Sequence, residues 1–224
     1  MGEKSFRQAV FEQFALLGSA LSSDRRLEII DLLLQAPRHV EALATATGLS
    51  VANVSQHLQV LRNAGLVESE RDGNRVVYRL ADPSVVRLWR ALQVVGQTRL
   101  AELDRIVRDF EIAEVGPERA ARDEILKQVK AGKVLILDVR PESEYLSGHL
   151  PGALSVPVGE LPKRIPSLPR DRRIVAYCRG TYCLSADEAV AMLKKRGFDA
   201  VRLDGGWLEW TEEERPSDKK AVRQ

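Results

Sequence analysis

The sequence predicts a two-domain protein. An α+β domain, mainly helical with one β-hairpin, is followed by an α/β domain built on a parallel sheet. With 224 residues the chain is long enough for two domains that each bury a core. Apolar residues recur at helical spacing across residues 5–110, and a single hairpin signal interrupts them. Residues 119–212 alternate short β-branched runs with helical patterns, which is typical of parallel strands joined by helices.

The two patterns meet at Gly116 and Pro117, residues that interrupt regular structure. The last residues are charged and have no apolar periodicity, so we expect a frayed tail there. The predicted boundaries are 1–112 for the first domain, 113–118 for a linker, 119–212 for the second domain and 213–224 for the tail.

The amino-acid composition limits the classes of function that this protein can have. The 34 Lys and Arg residues nearly balance the 32 Asp and Glu residues, so the net charge of +2 gives no general nucleic-acid signal. The sequence has no signal-peptide core and no apolar run near the ~20 residues of a membrane span. Two cysteines without a disulfide framework indicate a cytoplasmic protein in a reducing environment. We therefore expect no membrane partner and no cofactor.

Helices of the first domain have clear start and stop signals. Ser23 is a cap residue for a helix that Pro37 ends. A short helix over Val40–Thr47 is closed by Gly48, and a serine then caps a helix over Val51–Ala64. Two short helices joined by a tight glycine-containing turn are typical of a helix-turn-helix.

The second helix of that pair has two different faces. Val51, Val54, Leu58 and Leu61 fall on one side and form the predicted buried face. The opposite face carries amides and an imidazole, the side chains that read base edges in a major groove. An ordinary solvated polar face is the alternative. The predicted DNA contacts on this helix are Ser50, Asn53, Ser55, Gln56, His57, Gln59 and Asn63.

A β-hairpin follows this helix. Asp72 and Gly73 lie between two alternating runs, which is a strong hairpin signal. Arg71 and Arg75 lie at its tip, where they can reach phosphates or the minor groove, although the alternative is a plain surface hairpin. A helix-turn-helix with a basic-tipped hairpin is a winged helix.

Residues 49–67 and 73–80 resemble the ArsR-type winged-helix repressors, and the resemblance covers about residues 8–108. It implies a homodimer that binds a short inverted repeat in operator double-stranded DNA, with both recognition helices in successive major grooves. It also implies that a long helix over Pro83–Phe110 and the first helix build the dimer interface, the alternative being packing within one subunit. Metal-sensing members use thiols before the recognition helix or histidines on the last helix. This chain has neither, so no metal site is expected.

The second domain contains four predicted strands, one each within residues 133–138, 148–157, 174–177 and 200–204. Ligands gather at the carboxyl ends of such parallel strands. Cys178 lies at one of these ends, five residues before Cys183, the chain's other cysteine. Backbone N–H groups, a following helix and the adjacent Arg179 can stabilise a thiolate there.

This domain resembles the rhodanese family over about residues 119–211. The motifs are Leu137–Arg140, Glu144–Ala153, the loop that begins at Tyr177, and Leu203–Trp207. The resemblance implies that Cys178 is the nucleophile that carries a persulfide, with Arg179 as the loop cation. It further implies that Asp138 and Arg140 brace the loop. An inert buried thiol is the alternative.

Cys183 departs from the family pattern, because many sulfurtransferases have Arg or Lys at this loop position. A second thiol can resolve a modified Cys178, giving a disulfide or a polysulfide bridge. The alternative is that Cys183 packs as a small hydrophobic residue.

These features predict a DNA-binding repressor whose rhodanese domain senses a small sulfur donor or an oxidant. One alternative is a working sulfurtransferase with the winged helix as an accessory domain. Another is a rhodanese domain that binds a partner and carries incidental thiols. The sequence leaves the operator and the natural sulfur donor open.

Overall fold

The structure is a computed structural model that describes residues 3–113 and 119–212. Except for Ala113, the predicted linker lies outside the described residues, and so does the whole predicted tail. The chain divides into two compact units, with the boundary between Leu103 and Asp104. The domain boundary at residue 112 stays a prediction.

The first unit combines helices with a three-stranded antiparallel sheet in the order β1-β3-β2. The last helix crosses the boundary between the two units. The helices are α1 (Glu3–Leu21), α2 (Asp24–Gln35), α3 (Val40–Thr47), α4 (Val51–Asn63), α5 (Pro83–Arg99) and α6 (Ala101–Ala113). The strands are β1 (Arg38–His39), β2 (Val67–Asp72) and β3 (Arg75–Leu80).

Local capping explains where the helix-turn-helix begins and ends. The Ser23 hydroxyl accepts a hydrogen bond from the Arg26 N–H at the start of α2. The Ser50 hydroxyl accepts one from the Asn53 N–H at the start of α4, at 3.2 Å. Gly48 ends α3 with a φ of 68°, a left-handed conformation that favours glycine. The predicted limits of α2, α3 and α4 are confirmed to within one residue.

The core of the first unit lies between α2, α3, α4 and the sheet. Val54, Leu58 and Leu61 are fully buried there, which confirms them as the inner face of α4. Val51, the first residue of α4, is 45% exposed, so the buried part of this face begins at Val54.

Two features of the first unit differ from the sequence prediction. The two-residue strand β1 was not predicted, because its pairing with β3 is not encoded in its own short sequence. The prediction of a single long helix over Pro83–Phe110 was wrong, since the backbone becomes extended at Leu100, between α5 and α6. A glycine weakens the last turn of α5, and a Cβ at Gly96 would lie 3.2 Å from the Leu103 side chain. Leu103 can therefore fold back onto α5.

The second unit is a five-stranded, fully parallel sheet in the order β4-β8-β7-β5-β6. The four predicted strands are confirmed, and the edge strand β4 was missed because it has only two residues. The strands are β4 (Arg119–Ala120), β5 (Val134–Asp138), β6 (Leu154–Ser155), β7 (Arg173–Tyr177) and β8 (Ala200–Leu203). The helices are α7 (Arg122–Lys130), α8 (Glu142–Ser147), α9 (Leu161–Arg164), α10 (Ser185–Lys195) and α11 (Trp207–Glu212), with a 3₁₀ turn over Ile165–Ser167.

Alternation along β7 divides its side chains between two cores. Ala176 and Cys178 belong to the core that α10 covers. Tyr177 belongs to the opposite core, together with Trp207 and Trp210. Because successive residues of a strand face opposite sides, the strand directs Cys178 towards the start of α10.

Candidate functional site

Cys178 follows the carboxyl end of β7 and is fully buried. Its sulfur lies 3.0 Å from the Cys183 carbonyl oxygen and 3.9 Å from the Gly180 carbonyl oxygen, both of which can accept its proton. The Ala186 N–H, at the start of α10, also bonds to the sulfur. Of the backbone N–H donors that the sequence predicts around this sulfur, that of Ala186 is described, and the Cys183 carbonyl oxygen is the nearer acceptor for the thiol proton.

The turn from Cys178 to Cys183 packs against the first residues of α11 and the glycine before them. The Trp207 N–H donates to the Cys178 carbonyl, and the Leu208 N–H donates to the Arg179 carbonyl, both at 3.0 Å. A Cβ at Gly206 would lie 2.5 Å from the Cys178 carbonyl oxygen. Only glycine permits this close approach. The sequence motif Leu203–Trp207 includes this glycine but gives no sign that it supports the loop.

Arg202 supports the same turn from β8, and the sequence reading missed it. Its guanidinium is buried and donates to the carbonyls of Gly180 and Thr181 at 3.2 and 3.1 Å. It also pairs with Asp187 on α10. An arginine inside an otherwise apolar strand was the available signal, because a buried charge needs partners.

Arg179, the predicted loop cation, is held by a buried carboxylate. Its Nε lies 3.1 Å from each oxygen of Glu144, and its Nη2 lies 2.7 Å from one of them. Glu144 is fully buried on α8. Because this carboxylate compensates its charge, Arg179 is a weak attractant for an anionic sulfur donor.

Asp138 and Arg140 form a buried ion pair at the end of β5. The Nη2 of Arg140 lies 2.6 Å from Asp138 and 2.7 Å from the Gly148 carbonyl oxygen. The Tyr177 hydroxyl donates to Asp138 and accepts from the Leu150 N–H. Burial and the Asp138 charge raise the pKa of Tyr177 well above its usual value, so the phenol remains a donor. The network joins the residue before Cys178 to the segment after α8.

The two thiols differ in acidity. Burial, together with the hydrogen bond and charge of Cys183, raises the pKa of Cys178 well above its usual value. The hydrogen bond from Cys178 lowers the pKa of Cys183 to about 5 against the opposing effect of burial. The N–H groups of Arg179 and Ser185 and the Ser185 hydroxyl act in the same direction. Cys183 is therefore the more acidic thiol of the pair.

A cavity of about 400 Å³ opens beside the loop, between the ends of β5 and β7. Cys183, Arg179 and Ser185 form one part of its wall, and Pro157 and Glu160 form another. Cys178 does not line this cavity. Cys183 is therefore the cysteine that a molecule in this cavity can contact.

The helix-turn-helix presents the predicted polar face to solvent. Of the predicted contacts on α4, all are exposed except His57, which is half-buried. Gln59 donates to Asn63 at 2.6 Å and accepts from Arg62 at 2.7 Å. Arg62 was missed as a candidate DNA contact, although a basic residue on the exposed last turn of α4 was the signal.

The wing carries two kinds of arginine. Arg71 and Arg75 are exposed on either side of the turn at Gly73, and no ion pair is described for them within residues 3–113. Arg79 instead pairs with Glu68 at 2.6 Å and with Glu70 at 3.0 Å. The tip arginines are therefore the better phosphate ligands.

Comparison with known proteins identifies both halves of the chain. The model of the rhodanese-like domain matches residues 121–213, and that of the bacterial regulatory proteins of the arsR family matches residues 23–69. The HTH-type transcriptional regulator Rv0324 of Mycobacterium tuberculosis is 44% identical over 222 residues, which cover 98% of this chain and 96% of that protein. This chain belongs to the ArsR-type transcriptional regulators that carry a rhodanese domain. The predicted family and fold class are confirmed.

Further relatives match one half of this ArsR-type regulator. The HTH-type transcriptional regulator YgaV of Escherichia coli is 38% identical over 42% of the chain and 97% of its own length. A sulfurtransferase of Allochromatium vinosum is 36% identical over 34% of the chain and 71% of its own length. The solution structure of a homodimeric winged helix-turn-helix DNA-binding domain from Mycobacterium bovis is 45% identical. It covers 45% of this chain and 93% of that domain, with a TM-score of 0.42.

Within residues 3–113 and 119–212 of the regulator, no group of three or more His, Cys, Asp or Glu side chains is arranged to hold a metal ion. No helix in the same ranges combines the length and apolar character of a membrane span.

Proposed function

We propose that this ArsR-type regulator is a cytoplasmic repressor that binds operator DNA as a homodimer and is switched by reactive sulfur or an oxidant at Cys178 and Cys183. The observation that carries the proposal is the proximity of the two cysteines: Cys183 packs against the core cluster that contains Cys178, and the Cys178 sulfur lies 3.0 Å from the Cys183 carbonyl oxygen. Two thiols on one short loop can convert between the reduced pair and a disulfide or polysulfide bridge. The sequence has no other cysteine, so thiol chemistry in this chain must occur in this loop.

Exposed side chains support the DNA-binding part of the proposal. The amides on the outer face of α4 are suited to base edges, and Arg71 and Arg75 are suited to phosphates. The side chains proposed to contact the bases are Ser50, Asn53, Ser55, Gln56, His57, Gln59 and Asn63.

Exposed apolar residues support homodimerisation. The first helix exposes three phenylalanines, and α5 exposes leucines and valines. Large apolar surface on a monomer usually marks an interaction site. The exposed residues are Phe6, Phe11, Phe14, Leu88, Leu92 and Val95.

The switch requires that a modified loop favours a different dimer state from the reduced loop, since a ligand shifts only an equilibrium that it binds unequally. Cys178 is packed among core residues of α10. A new bond to its sulfur therefore alters the contacts of that helix and not only the loop.

A DNA-binding titration at fixed salt tests the proposal. The probe is a duplex that the reduced protein selects from a random-sequence library, and the arms are reduced, polysulfide-treated and peroxide-treated protein. We expect at least about a tenfold change in Kd after one of the treatments, which corresponds to ~1.4 kcal/mol. The Cys178→Ser/Cys183→Ser double variant should bind DNA and no longer respond. Equal Kd values in all arms would refute the proposal.

A working sulfurtransferase is the second candidate, and the cavity beside Cys183 favours it. The pairing of Arg179 with Glu144 argues against thiosulfate as the donor, because no uncompensated cation is described in the loop to attract this dianion. Steady-state transfer of sulfur from thiosulfate to cyanide that is lost in Cys178→Ser would support this candidate. A rate no higher than that of the double variant would exclude it.

A further inference from the structure

The two cysteines of the loop differ in their exposure. Cys183 is partly exposed and lines the cavity of about 400 Å³. Cys178 is fully buried behind it, among Ala186, Ala189 and other residues of the α10 core. A small electrophile in the cavity can therefore contact Cys183, whereas Cys178 has no exposed surface that it could contact.

The polar groups around the two sulfurs also differ. The nearest oxygen to the Cys178 sulfur is the Cys183 carbonyl, at 3.0 Å, which is an acceptor and keeps the thiol protonated. The backbone N–H groups of Arg179 and Ser185 and the Ser185 hydroxyl instead lower the pKa of Cys183. Donors stabilise a thiolate, and the thiolate is the nucleophile.

We propose that Cys183 is the thiol that first attacks an incoming polysulfide, and that the buried Cys178 is the resolving thiol. This order is the reverse of the one that the rhodanese resemblance implies. The inference rests on the proposed function only in its choice of reactive sulfur as the signal.

The chemistry has two steps. The Cys183 thiolate attacks a terminal sulfur of a hydrogen polysulfide. A bond forms between this sulfur and the Cys183 Sγ, a sulfur–sulfur bond in the donor breaks, and the shortened polysulfide anion leaves. Cys183 then carries a persulfide. The Cys178 sulfur attacks the Cys183 Sγ and forms a disulfide, while the outer sulfur leaves with the Cys178 proton as hydrogen sulfide. The two cysteine sulfurs together lose two electrons, and the transferred sulfur gains them.

Competitive alkylation of the reduced wild-type protein tests the order directly. Trypsin cleaves after Arg179 and so places the two thiols on separate peptides, Ile174–Arg179 and Gly180–Lys194. With iodoacetamide below one equivalent at neutral pH, we expect the label on Gly180–Lys194 to exceed that on Ile174–Arg179 by about tenfold or more, because only a thiolate reacts. A label mainly on Ile174–Arg179 would overturn the inference. No variant is needed, so misfolding cannot obscure the result.

Single variants test the second step. After a short treatment with sodium tetrasulfide, Cys178→Ser should accumulate the mass of added sulfur on Cys183, because the resolving thiol is absent. The matched variant Cys183→Ser should remain unmodified over the same time. Persulfide formation at equal rates in both variants would contradict the proposed order.

The outcome is separable from that of the DNA titration. Preferential labelling of Cys183 in a protein whose DNA affinity ignores polysulfide would support this order of attack and refute the regulatory proposal. A DNA response to polysulfide in a protein that is labelled first at Cys178 would support the regulatory proposal and refute this order of attack.

Discussion

The recognition helix and the cysteine loop are built in opposite ways. On α4, the candidate DNA contacts lie on one exposed face of one helix, and the Ser50 cap together with helical spacing places them. In the loop, Cys178 is positioned by long-range partners, among them Arg202 from β8 and Gly206 before α11. A surface of the first kind can change its specificity one side chain at a time. A site of the second kind couples each substitution to several buried groups.

The largest effect is expected from breaking the buried ion pair beside the loop. Asp138→Ala leaves Arg140 buried without its carboxylate, and we expect the second domain to lose ~3–5 kcal/mol of unfolding free energy. Urea unfolding followed by the fluorescence of Trp207 and Trp210 measures it. The control is Asp199→Ala, which removes a surface ion pair with Arg173 and should cost below ~1 kcal/mol. Similar losses of unfolding free energy in both variants would show that the buried network contributes no more to stability than a surface ion pair.

A smaller effect is expected at the contact between the loop and the segment before α11. Gly206→Ala places a methyl group 2.5 Å from the Cys178 carbonyl oxygen, so the backbone must shift. We expect a loss of ~1–3 kcal/mol and faster alkylation of Cys178. The matched control is Gly159→Ala, whose added methyl meets nothing within 4 Å. An unchanged alkylation rate in Gly206→Ala would contradict the assigned support role.

On the DNA-binding surface, a single substitution should act locally. Arg75→Ala should weaken binding to all sequences several-fold and lower the salt dependence of log K by about one per protomer, because one phosphate contact is lost. The control is Arg79→Ala on the same strand, whose charge Glu68 and Glu70 already compensate. It should leave the salt slope unchanged. Equal slopes for the two variants would remove the tip arginines from the list of phosphate contacts.

The same comparison explains what the sequence could predict. Caps, glycine stops and apolar spacing are local signals, so α2, α3, α4 and the hairpin were predicted nearly to the residue. Strand β1 depends on its pairing with β3, and the break at Leu100 depends on the close approach of Leu103 to Gly96; both were missed. In the loop, the motif around Cys178 predicted the strand end and the two thiols. Glu144 pairs with Arg179, and Arg202 donates to the loop carbonyls. Their positions depend on how α8 and β8 pack, so the motif could not predict them.

The acidity of Cys183 provides the finest test of the loop. Its pKa is lowered to about 5, so the reactive thiolate is present above this pH and is lost as the pH falls through it. The charged groups of the surrounding cavity wall are Arg140, Glu142, Glu160 and Arg179. We expect the rate of Cys183 alkylation to be half-maximal near this pKa and constant above about pH 7.

Ser185→Ala removes the donor with the smallest contribution to this shift and should raise the midpoint by less than about one unit. The control is Ser167→Ala, since this hydroxyl donates to the Arg164 carbonyl, away from the thiols, and the substitution should not move the midpoint. A wild-type midpoint near the ordinary thiol value of about 8.5 would show that the loop holds Cys183 as a neutral thiol. The contrast between an accessible thiolate and a buried resolving thiol would then be lost, and attack at the two cysteines would depend on exposure alone.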